Sequence, residues 1–295
     1  MKLSPAVKKL QKMGLKRVFL AIVSTLYQIP IIRGILRLTI PAKEPEKWVF
    51  LLGCYNSGTT ITHKILSQHP DIQASIFGRE GVHYTSHLPK PDDLGWARMW
   101  IKCNDYMCVD EEDNYRAEQV KKDWRMLWRG KETIFIEKSI TNITRMKWLN
   151  NNFKNSYFIG MTRNGYCVSE GIVRRAQTTK PPATLEHQGQ YPIEWGAKQW
   201  VEANQCLIDG RGAVDNYLGF SYEAFTADPI PILNEIWKYL DLPAPEMSFS
   251  KGILEVNNFT VKLKNMNNNS LSNLEEENIN LISPIIDPMM DELET

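Results

Sequence analysis

The sequence has almost no net charge to read. Its 295 residues carry 35 Lys and Arg against 34 Asp and Glu, a formal charge of +1, so nothing global points to a nucleic-acid partner. It also lacks a cysteine framework. Cys54, Cys103, Cys108, Cys167 and Cys206 include no CxxC pair, which argues against a disulfide scaffold or a zinc site and reads as small buried hydrophobes. No Pro/Gly/Ser-rich linker divides the middle, which favours one domain after the N-terminal segment. A spanning helix needs about 20 apolar residues. The candidate run VFLAIVSTLYQIPII, residues 18–32, has only 15 and contains Pro30. No A-x-A cleavage site follows it, so a cytoplasmic or membrane-associated protein is expected rather than a secreted one.

What charge there is lies at the ends. Residues 1–47 hold ten Lys or Arg and two Glu, and residues 271–295 hold seven acidic residues and no Lys or Arg. A basic segment around an apolar run fits a peripheral membrane contact through residues 8–40. A short anchor, or helices packed on the core, are the other readings of residues 1–47.

From residue 48 the pattern becomes regular. Apolar runs at 48–53, 133–137, 156–162 and 217–222 read as buried strands. Helical patterns at 59–69, 141–153, 165–176, 194–209 and 229–240 alternate with them. That alternation predicts an α/β chain, a P-loop-like three-layer α/β/α fold with a central parallel sheet over residues 48–295. Residues 257–273, with seven Asn, read as a surface loop, and residues 274–294 as a helical pattern broken by Pro284 and Pro288.

The first strand runs into LLGCYNSGTT, residues 51–60. Gly53 and Gly58 have the spacing of a phosphate-binding loop, but Thr59 stands where its lysine would be. Such a loop aims backbone N–H groups and a helix N-terminus at an anion, and Ser57, Thr59 and Thr60 add hydroxyls. Phosphoryl transfer needs that lysine and a Mg²⁺-holding Asp. The nearest Asp candidate, in VDEED at 109–113, reads as a solvated turn. A phosphosulfate needs less charge neutralisation, so backbone donors and a single cation suffice without a metal. An ATP-dependent kinase and an inactive nucleotide-binding scaffold are the alternatives.

Six blocks in order carry a resemblance: GCYNSGTT, SQHPDI, GREG, IFIEKS, FKNSYFIGMTRNGYCVSEGIVRR, and SYEAFTADP with ILNEIWKYLDLP. Together they resemble the sulfotransferase family over about residues 48–245, particularly its bacterial-type, tyrosylprotein and carbohydrate members. The C-terminal LISPIIDPMMDEL is similar to a terminal helix of such members. The resemblance implies the donor 3′-phosphoadenosine 5′-phosphosulfate (PAPS), its product PAP, and no metal. It implies that Asn56, Ser57, Gly58, Thr59 and Thr60 grip the 5′-phosphosulfate, that Arg163 binds the 3′-phosphate, and that Tyr222 touches adenine. Lys138 resembles a second catalytic lysine, and Glu80 stands in the place of the catalytic base, with His83 the second choice. Members usually carry Lys or Arg where this chain has Asn56. Many place a serine where it has Gly171, which leaves Ser169 as the nearby hydroxyl. The acceptor implied is a hydroxyl on a carbohydrate, a glycolipid or a tyrosine, a sugar first. Trp96, Trp100, Trp195 and Trp200 are candidates to line its cleft by abundance alone, though a tryptophan in such a domain is more often core.

Overall fold

The computed structural model describes residues 15–39, 44–128, 133–178 and 191–294. Most of the loop expected over 177–193, and residues 8–14 and 40 of the basic segment, lie outside these.

The core is a five-stranded sheet of β1 (Lys47–Gly53), β2 (Ile72–Ala74), β3 (Ile134–Glu137), β4 (Ser156–Thr162) and β5 (Tyr217–Ser221). The strand order is β2-β3-β1-β4-β5, and every pairing is parallel. β1 is central and covered on both faces, which is why it reads as an unbroken apolar run. Its alternation sorts its side chains. Trp48, Phe50 and Leu52 join Trp124, Phe153 and Phe158 on one face, while Val49 and Leu51 join Ile65, Ile159 and Phe225 on the other. Phe50 meets Phe153 edge-on at 5.5 Å and stacks with Phe158 at 5.4 Å.

The helices expected between strands are present. They are α3 (Thr59–Leu66), α6 (Met146–Asn152, after a 3-10 turn at Ile140–Arg145), α7 (Gly165–Thr178), α8 (Ile193–Ala213) and α10 (Pro229–Tyr239). Before them lie α1 (Leu15–Tyr27) and α2 (Pro30–Arg37), and between them α4 (Asn104–Met107), α5 (Asn114–Trp124) and α9 (Tyr222–Ala227).

Three expectations are corrected. β2 is three residues long, too short to show as a run in the sequence, and forms because it completes the sheet edge beside β3. The segment 257–273, read as a surface loop, carries a strand and a short helix, and two strands that the sequence did not suggest precede it. β6 (Met247–Ser250), β7 (Ile253–Val256) and β8 (Phe259–Lys262) form an antiparallel sheet, and α11 (Asn267–Leu271) follows. Finally, α12 (Glu276–Glu294) runs unbroken through Pro284 and Pro288. Pro284 cannot donate to the Asn280 carbonyl, and the Ser283 hydroxyl donates there instead at 3.4 Å. Ile282, Ile286 and Met289 are buried on this helix, so packing overrides the local penalty.

No single helix among the described residues is long and apolar enough to cross a membrane. α1 and α2 instead meet at a bend of 100°. Their inner face is fastened to the domain. Tyr27 donates to the Asp123 carbonyl at 2.7 Å, and Arg33 and Arg37 reach the fully buried Asp123 carboxylate at 3.2 and 3.3 Å.

Candidate active site

The loops after β1, β3 and β4 converge at the carboxyl edge of the sheet, where ligands of open α/β sheets bind. They open on a cavity of about 700 Å³. Eight of the ten predicted site residues line it: Asn56, Gly58, Thr59, Thr60, Glu80, Lys138, Arg163 and Tyr222. They come from segments more than 160 residues apart in the chain, so the fold brings them together.

The loop after β1 is built by backbone conformation. Asn56 sits at φ +66°, a left-handed position that Asn tolerates. Gly58 follows at φ +100°, and a Cβ there would stand 2.7 Å from the Tyr222 ring. Gly58 is thus required both by its torsion and by the close approach of Tyr222. It caps α3, whose first residues Thr59, Thr60 and Ile61 line the cavity. The Ser57 hydroxyl and both amide atoms of Asn56 are buried with no hydrogen-bond partner in the chain. Buried polar atoms are rarely left so, and orphaned donors around such a loop fit a bound anion. Ser57 itself lies buried within the loop rather than on the cavity wall.

Arg163, at the end of β4, is nearly buried. Its Nη1 donates to the Asn56 carbonyl at 2.5 Å, its Nε donates to Asn267 Oδ1 at 2.9 Å, and its guanidinium lies 4.3 Å from the centre of the Tyr222 ring. Tyr222 is held in turn. Its hydroxyl donates to the Lys264 carbonyl at 3.0 Å and accepts from the Met266 amide at 3.1 Å. The stack fixes Arg163 against the loop.

The EKS segment divides its work. Lys138 faces the cavity and pairs with Glu80 at 2.7 Å; the pairing with Glu137 that sequence adjacency suggests is not made. Glu137 turns inward and is buried. It accepts from the Gly81 amide at 2.7 Å and from the Ser139 hydroxyl at 2.6 Å, and Ser139 accepts from the Val82 amide at 3.0 Å. Glu137 and Ser139 therefore hold the turn that carries Glu80. His83 lies near Glu80 on the same turn. Burial lowers its pKa below the usual histidine value, partly opposed by the Glu80 charge.

Ser169 is a correction. It is fully buried, its hydroxyl donates to the Gly165 carbonyl at 2.7 Å, and it does not line the cavity. Two residues on, the helix presents Gly171 to the loop. A Cβ at Gly171 would lie 3.0 Å from Asn56 Cγ. The two departures noted in the sequence are thus one packing event, in which the Asn56 side chain occupies the space beside residue 171. Of the tryptophans, Trp100 and Trp200 are core residues, Trp96 and Trp195 stack edge-on at 6.1 Å, and none of the four lines this cavity.

Sequence reasoning missed the remaining cations. Lys64, Arg98, Arg174 and Arg175 also line the cavity, against Glu80 as its one acidic residue. Burial first, then the charges of Arg98, Arg174 and Arg163, lower the Arg175 pKa from the usual guanidinium value. A cavity so positive suits a polyanion. Arg174 and Arg175 follow Arg163 by eleven and twelve residues, and helical periodicity from Gly171 would have found them. Nothing in the sequence marked Arg98 or the 266–273 segment.

The sequence profile of the sulfotransferase family matches residues 49–246. The chain belongs to the sulfotransferase family. No curated protein matches it. Among solved structures, sulfotransferase STF9 from Mycobacterium avium is similar at 14% identity and a TM-score of 0.53, over 90% of this chain and 81% of its own. Sulfotransferase STF1 from Mycobacterium tuberculosis H37Rv is similar at 13% identity and a TM-score of 0.50, over 79% of this chain and 78% of its own. Mouse sulfotransferase SULT7A1, complexed with PAP, aligns at 14% identity and a TM-score of 0.42, over 70% of this chain and 63% of its own. At these identities the first two likenesses establish the fold, which is that of the sulfotransferases.

Proposed function

We propose that this sulfotransferase takes PAPS as donor and sulfates a hydroxyl of a carbohydrate or glycolipid. One observation carries the donor assignment. The loop with its orphaned Asn56 amide and Ser57 hydroxyl opens, with Arg163, into a single cavity lined by six cations and one acid. Its volume of about 700 Å³ suits a nucleotide. When bound, the donor supplies an activated sulfuryl group on a phosphate leaving group. In the reaction the acceptor oxygen bonds to sulfur, the sulfur–oxygen bond to the phosphate breaks, and the acceptor proton leaves.

The chain's own groups fit these needs. Glu80 takes the proton. Lys138, now paired with Glu80 at 2.7 Å, is freed from that charge as Glu80 becomes neutral, and its ammonium then serves the departing phosphate. Loop amides, Thr59 and Thr60 hold the 5′ end, with the buried Ser57 hydroxyl behind them. Arg163 takes the 3′-phosphate with a guanidinium already fixed by Asn267 and Tyr222. Isothermal titration with PAP in EDTA, against ATP and adenosine 5′-phosphosulfate, tests this. Metal-independent micromolar binding that needs the 3′-phosphate, and that Arg163→Ala weakens at least tenfold, about 1.4 kcal/mol, is expected. Binding of ATP with Mg²⁺ alone would overturn it.

The N-terminal helices favour a lipid-borne acceptor. Opposite their anchored face, Phe19, Ile22, Ile31, Ile35 and Leu38 are 54 to 88% exposed. No Asp or Glu occurs in residues 1–43, which carry nine Lys or Arg. An apolar face flanked by basic charge fits an anionic bilayer. The same helices pack on the turn that carries Glu80. Tyr27 meets Phe77 and Tyr84 at 6.0 and 6.2 Å, and Arg79 donates to Gln28 at 3.3 Å. Docking would therefore set the acceptor side of the site at the membrane. Co-sedimentation with phosphatidylserine vesicles that is lost in Ile31→Glu/Ile35→Glu is expected. Binding unaffected by that pair, or a stable protein complex through this face, would overturn the membrane assignment.

A further inference from the structure

The loop lacks the cation that the family usually carries at residue 56, and the structure offers one from another segment. Arg98 occupies a turn between Trp96 and Met99 with φ +59°, a torsion rare for a bulky residue. That turn is pinned from behind. The fully buried Gln199 donates its Nε2 to the Arg98 carbonyl at 2.6 Å and accepts from the Ile101 amide at 3.4 Å. The guanidinium lies 5.2 Å from the ring centre of Tyr55, the residue immediately before Asn56. Its flat face is thereby held beside the loop.

Two further facts bear on Arg98. Like Lys64 and Arg163 it makes no ion pair among the described residues, whereas Lys138 is paired with Glu80 and Arg174 with Glu170. It also stands on a shared wall. A second cavity, of about 420 Å³, is lined by Arg79, His83, Lys90 and Asp92, and it has Tyr55, Glu80 and Arg98 in common with the donor cavity. A group that passes from a donor in one cavity to an acceptor in the other must cross that wall.

We propose that Arg98 contacts the sulfuryl group in transit and supplies the positive charge missing at Asn56. The inference rests on PAPS being the donor. The guanidinium hydrogen-bonds to the sulfuryl oxygens while the bond from sulfur to phosphate breaks, the acceptor oxygen bonds to sulfur, and Glu80 receives the proton. A residue that touches the sulfuryl group distinguishes PAPS from PAP, which lacks it; a residue that only shapes the loop does not.

Titration of both nucleotides in EDTA tests this without a known acceptor. Arg98→Met is expected to weaken PAPS at least tenfold while PAP changes less than threefold, and Arg98→Lys to fall between Met and wild type for PAPS. Arg163→Ala is expected to weaken both nucleotides alike. Equal effects of Arg98→Met on PAPS and PAP, or no effect on either, would overturn the assignment. Should Arg98→Met fail to fold, equal affinities of Arg98→Lys and wild type for PAPS would overturn it as well. Failure of wild-type protein to bind PAP at all is a different result, which removes the PAPS reading itself.

Discussion

The two walls of the site are made differently. The proposed donor wall stands on regular elements: the end of β1, the start of α3, the end of β4 and one face of α7. The proposed acceptor wall, residues 76–103, has no long element. It is a series of 3-10 turns at Gly81–Tyr84, Pro91–Leu94 and Trp100–Cys103. Sheet and helix hydrogen bonds position the first wall. Buried side chains position the second: Glu137 and Ser139 under Glu80, Gln199 behind Arg98, and Asp123 beneath the helices that cover Phe77 and Tyr84. A fold can thus keep one donor site while its acceptor wall is redrawn by a few polar contacts.

Glu137→Ala is the largest test of that contrast. It strands the buried amides of Gly81 and Ser139, and a loss of about 4 kcal/mol in urea unfolding is expected from several unmet hydrogen bonds. In protein that remains folded, PAP affinity is expected to hold within about threefold, because the donor wall does not depend on Glu137. A parallel loss of PAP binding would break the comparison.

A smaller effect comes from His63, on α3 behind the loop. Burial, and then the charge of Lys138, lower its pKa to about 4. The unfolded chain, with a histidine near 6.5, takes up the proton first as pH falls. Stability held above about pH 6.5 is therefore lost progressively down to about pH 4, on the order of 2–3 kcal/mol. His63→Gln is expected to flatten that part of the stability–pH curve. An unchanged slope would show that His63 is not held neutral.

The smallest effect sharpens the donor wall itself. Gly171→Ser pushes a Cβ to 3.0 Å from Asn56 and is expected to weaken PAP about fivefold, close to 1 kcal/mol. Adding Asn56→Gly, which suits φ +66° and removes the clash, is expected to restore most of that. Additive losses in the double variant would separate the two positions.

Much of the cavity lining on the β1 and β4 side was legible because its signals are local. An apolar run, paired glycines and a run of hydroxyls mark the loop, and Arg163 closes a second apolar run. Lys138 and Glu80 were found through resemblance, but their ion pair with each other was not, since 58 residues separate them. Ser169 misled because a hydroxyl near the expected position says nothing of which side of the helix it takes. β6–β8 were hidden because each is only four residues long and alternates in exposure, and β8 lies within the Asn-rich stretch. The prolines of α12 were read as breaks because the buried face that holds that helix lies elsewhere in the chain.

The sequence alone determined the parallel character of the sheet, four of its five strands and the helices between them, the phosphate-type loop and the family. These follow from periodicity and from backbone demands that act over a few residues. Tertiary structure alone decided that Glu137 supports the turn of Glu80, that Asn56 fills the space at Gly171, and that Arg98 reaches the wall between two cavities. Each of these is a meeting of side chains distant in sequence, fixed by packing density and by the need to satisfy buried polar atoms, neither of which a linear pattern records.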